Sequence, residues 1–426
     1  MLQTFPHSRD FPIAWTLAAA VLSAGASCAP RFDPANARAQ FSSKAQSMEG
    51  SEPTTADPQP STSLPAPIAV ATPVATPVAT NVATNGVVPP VVAPSVAAPA
   101  QPEVLVVDSV IIPVPPSLPV ESLLHEPTDA QTTHEASRVL REASVSKWAA
   151  LRAHAIEASI RSPKLLAELV PAALDDENRG VRFVACMAVA EARMPTLANA
   201  VAPLLSDPSA SVRAAAMLAL SRCGRTVDFT PLAAMLSDNA PEIRANAYLV
   251  LGELGNPSAT PLIRESLGKG MKLVNPLRVR LVDLAAAEAL VKLGDENEIE
   301  PIRAALFAPP EQGELTVVAC DSVRRLHDEV SRPMLQRIIS ASGSDQRGPE
   351  IRIAAARALA KLGSSRAPIM IAQQYAEHSD PRVRAQTASL LAQIGSPEAA
   401  TLLTKLLRDS NPSVQIAAAA GFEAVD

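Results

Sequence analysis

The chain has 426 residues and 40 prolines, more than helices or central strands can absorb, so part of it lies outside any packed core. Its net charge of −6 sits wholly in the first 129 residues (4 basic, 10 acidic), while residues 130–426 carry 33 of each sign. A neutral domain lacks the basic footprint that dominates nucleic-acid affinity, and four cysteines with no C-x-x-C pair give no support to a zinc ribbon or a thioredoxin-like motif.

Residues 13–26 (IAWTLAAAVLSAGA) form an apolar run that fits a signal-peptide core and is too short to span a bilayer comfortably. Two processing readings stay open. Ala24-Gly25-Ala26 fits the small-x-small site of signal peptidase. Gly25-Ala26-Ser27-Cys28 resembles a bacterial lipobox, although the pattern prefers Leu where Gly25 stands. Both predict an exported protein of the periplasm or outer envelope, and the second adds a lipid at Cys28. Residues 1–28 are therefore read as a signal peptide.

Residues 29–129 read as a disordered linker of Pro, Ala, Val, Thr and Ser, with 17 prolines between Gly50 and Thr128 and a degenerate repeat at 71–85 (ATPVATPVATNVATN). Extended as polyproline II at ~3.1 Å per residue, residues 50–128 reach at most roughly 240 Å. An apolar, β-branched stretch at 104–112 (VLVVDSVII) is read as sticky linker or a strap, with strand addition to a partner's sheet as the alternative.

From residue 130 a phrase recurs: apolar-Arg-x-x-Ala-x-x-Ala-Leu. Good copies begin at Leu151, Val181, Val212, Ile243, Ile351 and Val383, and weaker ones at Val282, Val317 and Val414. Positions 0, 4, 7–8 and 11 make one helical stripe. Position 4 is Ala155, Ala185, Ala216, Ala247, Ala286, Ala355 and Ala418, small enough for helices to approach closely. Position 12 is Gly224, Gly255, Gly294, Gly363 and Gly395, the left-handed residue that ends a helix. A second apolar segment and a turn with Asp, often with Pro, follow. Each unit is thus helix, turn, helix, and buries its faces only by stacking.

This pattern resembles the HEAT-repeat family, in particular its phycobilin-lyase-type HEAT-like repeats. The resemblance implies an all-α fold: a right-handed α-solenoid of about eight helical hairpins over residues 130–426, following the tether. It further implies a ladder between turn aspartates (Asp207, Asp238, Asp409) and the arginines opening the second helices (Arg213, Arg244, Arg352), broken at Asp283, Val318 and Gln415.

The phrase read by columns gives the candidate binding surface. The second helices are expected to line a concave groove, where position 6 presents Met187, Leu218 and Leu249 in successive units. The competing reading makes these three residues core. Position 10 alternates in sign (Arg161, Glu191, Arg222, Glu253, Lys292), as pairing between neighbouring repeats requires. The step from Ile243 to Val282 is 39 residues, and its extra loop carries Lys269, Lys272, Arg278 and Arg280, a candidate contact for an acidic partner or membrane headgroups, or else a solvated spacer.

Chemistry is harder to find. His125-Glu126 and His134-Glu135 precede the repeats, His154, His327 and His378 stand alone, and no phosphate loop or Ser/His/Asp set is recognisable. Cys186 and Cys223, at positions 5 and 11 of adjacent units, lie too far apart to bridge and are expected as free, buried thiols. The expectation is a non-catalytic protein-interaction scaffold without cofactor or metal. It takes a protein or peptide in its groove and meets a membrane only through its N-terminal anchor. The alternative is a bilin-lyase-like or other HEAT-repeat enzyme subunit.

Overall fold

The computed structural model describes residues 130–269, 271 and 274–422. The signal-peptide, Cys28, linker, 104–112 and His125 readings, and Lys272, fall outside the described residues. Among the described residues the regular elements are all helical. None of these helices is long and apolar enough to cross a membrane.

The helices form nine hairpins, each an outer helix followed by an inner one. They are α1 (Ala130–Ser144) with α2 (Ala149–Ala158), α3 (Pro163–Leu174) with α4 (Arg179–Ala192), and α5 (Ala198–Val201), extended by 3-10 turns, with α6 (Ala210–Arg222). Next come α7 (Thr230–Met235) with α8 (Pro241–Leu254), α9 (Thr260–Ser266) with α10 (Pro276–Lys292), and α11 (Ile299–Ala305) with α12 (Gly313–Leu326). The last three are α13 (Arg332–Ser340) with α14 (Pro349–Lys361), α15 (Arg366–Tyr375) with α16 (Pro381–Ile394), and α17 (Pro397–Leu407) with α18 (Pro412–Ala419). The sequence pattern places the array correctly and undercounts it by one hairpin.

Why the inner helices stack is visible in their alanines. Ala155, Ala185, Ala216, Ala247, Ala286, Ala319, Ala355 and Ala418 each have no exposed surface, because each side chain is a short spacer between packed helices. Thr387 takes the same place in α16, and its hydroxyl, having no water to meet, donates to the Val383 carbonyl at 2.9 Å.

Helix ends obey the same register. Five of the position-12 residues are glycines with φ between 64° and 100°. Arg193 and His327 are the described non-glycine residues with positive φ, 49° and 54°, and both stand where the glycine is missing. This corrects the sixth copy of the phrase. It begins at Leu315-Thr316 rather than Val317-Val318, so that Ala319 takes position 4 and His327 position 12. The fifth copy differs in another way. α10 starts at Pro276, six residues before Val282, where other inner helices start two before, so the insertion adds one helical turn as well as a longer loop.

Inner helices pack in chain order from α2 to α18, and α18 then packs on α2 and α1. An ion pair from Arg408 to Glu135, at 3.5 Å, joins the last hairpin to the first. The order of packing is therefore closed.

Candidate functional site

Three sets of polar side chains organise the array. The first is the inner column. Arg222 lies between Glu191 (3.3 Å) and Glu253, and Lys292 reaches Glu253 (2.8 Å) and Glu288 (2.9 Å). Arg325 closes on both oxygens of Glu288, with Ser322 donating to the same carboxylate at 2.6 Å. The alternation at position 10 is thus pairing between repeats; with the corrected register Arg325 follows Lys292 with the same sign, and it pairs instead with Glu288 at position 6 of the preceding unit. Burial alone would push Glu288 up, but Arg325 and Lys292 hold it well below the usual carboxylate range, and Lys292 and Arg222 do the same for Glu253. Carboxylates held ionised in this way suit registration of helices better than proton transfer near neutrality.

The second set is a ladder on the edge where outer helices turn into inner ones. Arg152 grips Asp176 with two bonds, Arg182 grips Asp207, and Arg384 grips Asp409. In each, Nη1 also donates to a carbonyl of the arginine's own turn: Ser146, Asp176 and His378 respectively. The ladder joins neighbouring units, as the resemblance implies, but through Arg182 and Arg384 rather than Arg213, Arg244 and Arg352. Asp207 takes Arg182 from the preceding hairpin, while Arg213 donates to the Asp207 carbonyl. Arg244 likewise reaches the Asp238 carbonyl, and Arg352 bonds the Tyr375 hydroxyl (2.8 Å) and the Ile339 carbonyl. Gln415, expected to break the ladder, keeps half of it by donating to the Asp409 carbonyl at 2.7 Å.

The third set was missed from sequence. On the opposite edge, outer-helix arginines reach the turn that leaves the inner helix: Arg264 to Asp295, Arg303 to both oxygens of Asp328, and Arg332 to Ser364. Position 13 of the phrase is Asp295, Asp328 and Ser364, and that column was the available signal.

The proposed groove residues are placed as follows. Met187 is 3% exposed and Leu218 has no exposure, while Leu249 is half-buried against the same core. The groove reading is corrected for Met187 and Leu218: their apolar surface is already spent inside the array. In the basic insertion, Lys269 is exposed and pairs with Glu265 at 3.2 Å. Arg278 is half-buried, Arg280 is hydrogen-bonded to Gln312, and Met271 is buried, so the segment is pinned. Lys272 lies outside the described residues.

Among the described residues no group of His, Cys, Asp and Glu has the arrangement of a metal site. His154 is partly buried, which lowers its pKa, and Glu135 is engaged by Arg408. Cys186 and Cys320 are buried free thiols, pushed up by burial; Cys223, expected buried, is free but only half-buried, and it donates to the Met194 carbonyl at 3.3 Å.

One surface stands apart. With 3-10 turns that abut a helix counted as part of it, the outer-to-inner turn takes three to five residues in hairpins 1–4, 6, 8 and 9, but nine in hairpin 5 and eight in hairpin 7 (267–275 and 341–348). Between the turns of hairpins 6 and 7 opens a cleft of about 1170 Å³, with Arg382 and Gln386 of α16 at its far wall. Phe307, 54% exposed, stands at its rim over Val317, Met334 and Ile338.

The family model for HEAT repeats matches residues 166–238, 199–272 and 335–423. No curated protein matches the chain. Among solved structures, human deoxyhypusine hydroxylase in complex with glycerol is similar at 15% identity over 69% of this chain and 97% of that one, with a TM-score of 0.31. An engineered protein is similar at 17% identity over 60% and 94%, with a TM-score of 0.26.

Proposed function

We propose, for a chain that belongs to the HEAT-repeat family, that it is a non-catalytic protein-interaction scaffold of a bacterial cell envelope, held there by its N-terminus. The observation that carries this reading is how the charged groups are used. The inner carboxylates Glu253 and Glu288 and the turn aspartates Asp176, Asp207 and Asp409 are each matched to cations of a neighbouring hairpin. They bind the array to itself, which leaves its outer surfaces and edges for partners. Export rests on the apolar run at 13–26, and anchoring rests on Cys28 after it.

The test is crosslinking in cells followed by mass spectrometry of what attaches to residues 130–426. Reproducible crosslinks to one or a few envelope proteins are expected. A chain that crosslinks to none and purifies with a bound chromophore or metal overturns the scaffold. Anchoring is tested separately with a palmitate analogue: the wild type is labelled and Cys28→Ser is not, and equal labelling of both removes the anchor.

A further inference from the structure

We infer that the cleft between the turns of hairpins 6 and 7 binds an extended peptide of a partner protein, one carrying an apolar side chain flanked by lysine or arginine. The inference rests on the scaffold reading and assigns it a surface.

Size comes first. At about 1170 Å³ and open along the edge, the cleft exceeds the ~300–1,000 Å³ usual for a small-molecule pocket. It borders the lengthened turn of hairpin 7, and in repeat arrays insertions gather on one face that often binds. Phe307 at the rim leaves over half its surface in water, a cost that an apolar partner group would remove.

Charge selects the partner. Glu311, Glu314, Asp345 and Glu350 line the cleft, and among the described residues none is in an ion pair. Of the three arginines present, Arg382 is already engaged by Asp380, which leaves Arg337 and Arg347 against four carboxylates. A basic partner is favoured electrostatically and an acidic one is not. Backbone chemistry points to a peptide. Gln386 Oε1, an acceptor, and Arg347 Nη1, a donor, belong to residues lining the cleft, and both atoms are buried with no hydrogen-bond partner. An extended backbone carries both complements, as in other modes of peptide recognition.

The probe is a random-peptide phage library panned on the purified full-length chain. Enriched sequences should share one aromatic or aliphatic residue flanked by Lys or Arg. Peptides made from them should lose ~10-fold or more in affinity on Phe307→Ala, about 1.4 kcal/mol. The double reversal Glu311→Lys with Glu314→Lys should lose as much and flatten the salt dependence. Both variants change surface residues and should melt with the wild type. If one does not, Glu350→Gln, with a smaller loss of affinity, replaces it. No enrichment, enrichment of acidic sequences, or binding unchanged by these substitutions overturns the inference. Crosslinks in cells that map elsewhere while the library yields nothing would sink the cleft and leave the scaffold standing.

Discussion

In hairpins 1 and 2 the outer helix turns into the inner one within four residues, and an arginine at position 1 of the phrase locks that turn to the next by a two-bond grip on its aspartate. In hairpins 5 and 7 the same turn takes nine and eight residues, and position 1 is Asp283 or an arginine diverted to Tyr375, while hairpin 6 has Thr316 there. On the opposite edge the pattern is reversed: arginines tie the hairpin shut in 5, 6 and 7. Where the turn is longest, in hairpins 5 and 7, the repeat is held from its other end; absence of the ladder alone does not lengthen a turn, since hairpins 3 and 4 lack the two-bond grip and stay short. Stability and a surface for function thus occupy opposite edges of the same three units.

The comparison supposes that the core is uniform and only the edges differ. Leu218 in hairpin 3 and Leu290 in hairpin 5 both have no exposed surface. Leu218→Ala and Leu290→Ala should each cost ~2–5 kcal/mol in urea unfolding. A loss below ~1 kcal/mol for Leu290 alone would show that hairpins 5–7 are looser throughout. A small loss for Leu218 would restore the groove reading.

The next effect is at the edge. Asp207 is almost fully buried under Arg182. Asp207→Ala strands a partly buried guanidinium and should cost ~2–4 kcal/mol. Asp345→Ala, at an exposed site in a long turn, should stay within ~0.5 kcal/mol. Equal costs would break the comparison.

Acid sharpens it. Burial tends to raise Asp176 and Asp207, but their arginines outweigh it, and Arg384 directly lowers Asp409, so all three lie below the ordinary carboxylate range. A depressed folded pKa contributes stability that is complete above the unfolded value of ~3.9 and is lost as pH falls through the folded one. Unfolding free energy should therefore drop below about pH 4. The Asp207→Ala variant should lose less over that range than the wild type, and parallel curves would exclude the ladder as a cause.

How far the sequence foretold this depends on which residues carried the signal. Alanine at position 4 and glycine at position 12 report local helix geometry, and they located the inner helices. The sixth copy slipped by two because Val317-Val318 offers the same apolar start as Leu315-Thr316 and because His327 hides the glycine marker. The ladder's residue types and its span between neighbouring units were legible, but which arginines make it was not, since Arg182 and Arg213 stand at the same position of the phrase. Met187 and Leu218 were misassigned because periodicity gives a face without saying what covers it. Closure of α18 on α1 and α2 depends on curvature summed over nine units, which no local pattern states.

The smallest effect compares the two regions at their helix ends. Arg193 ends α4 in a hairpin with the two-bond grip and His327 ends α12 in one without it, both left-handed. A side chain in that region crowds its own backbone at a cost of roughly 1 kcal/mol, which glycine avoids. Glycine also makes the unfolded chain more flexible, and that offsets part of the gain. Arg193→Gly and His327→Gly should each stabilise by up to about 0.5–1 kcal/mol, a rise in Tm of a few degrees at most for an array of this size. Similar gains would mean that caps on inner helices work alike in both regions, so that the difference is confined to the edge. A gain at Arg193 with a loss at His327 would mean that the imidazole does something further at the end of α12. It would also reopen the register that puts Leu315 at the head of the sixth repeat.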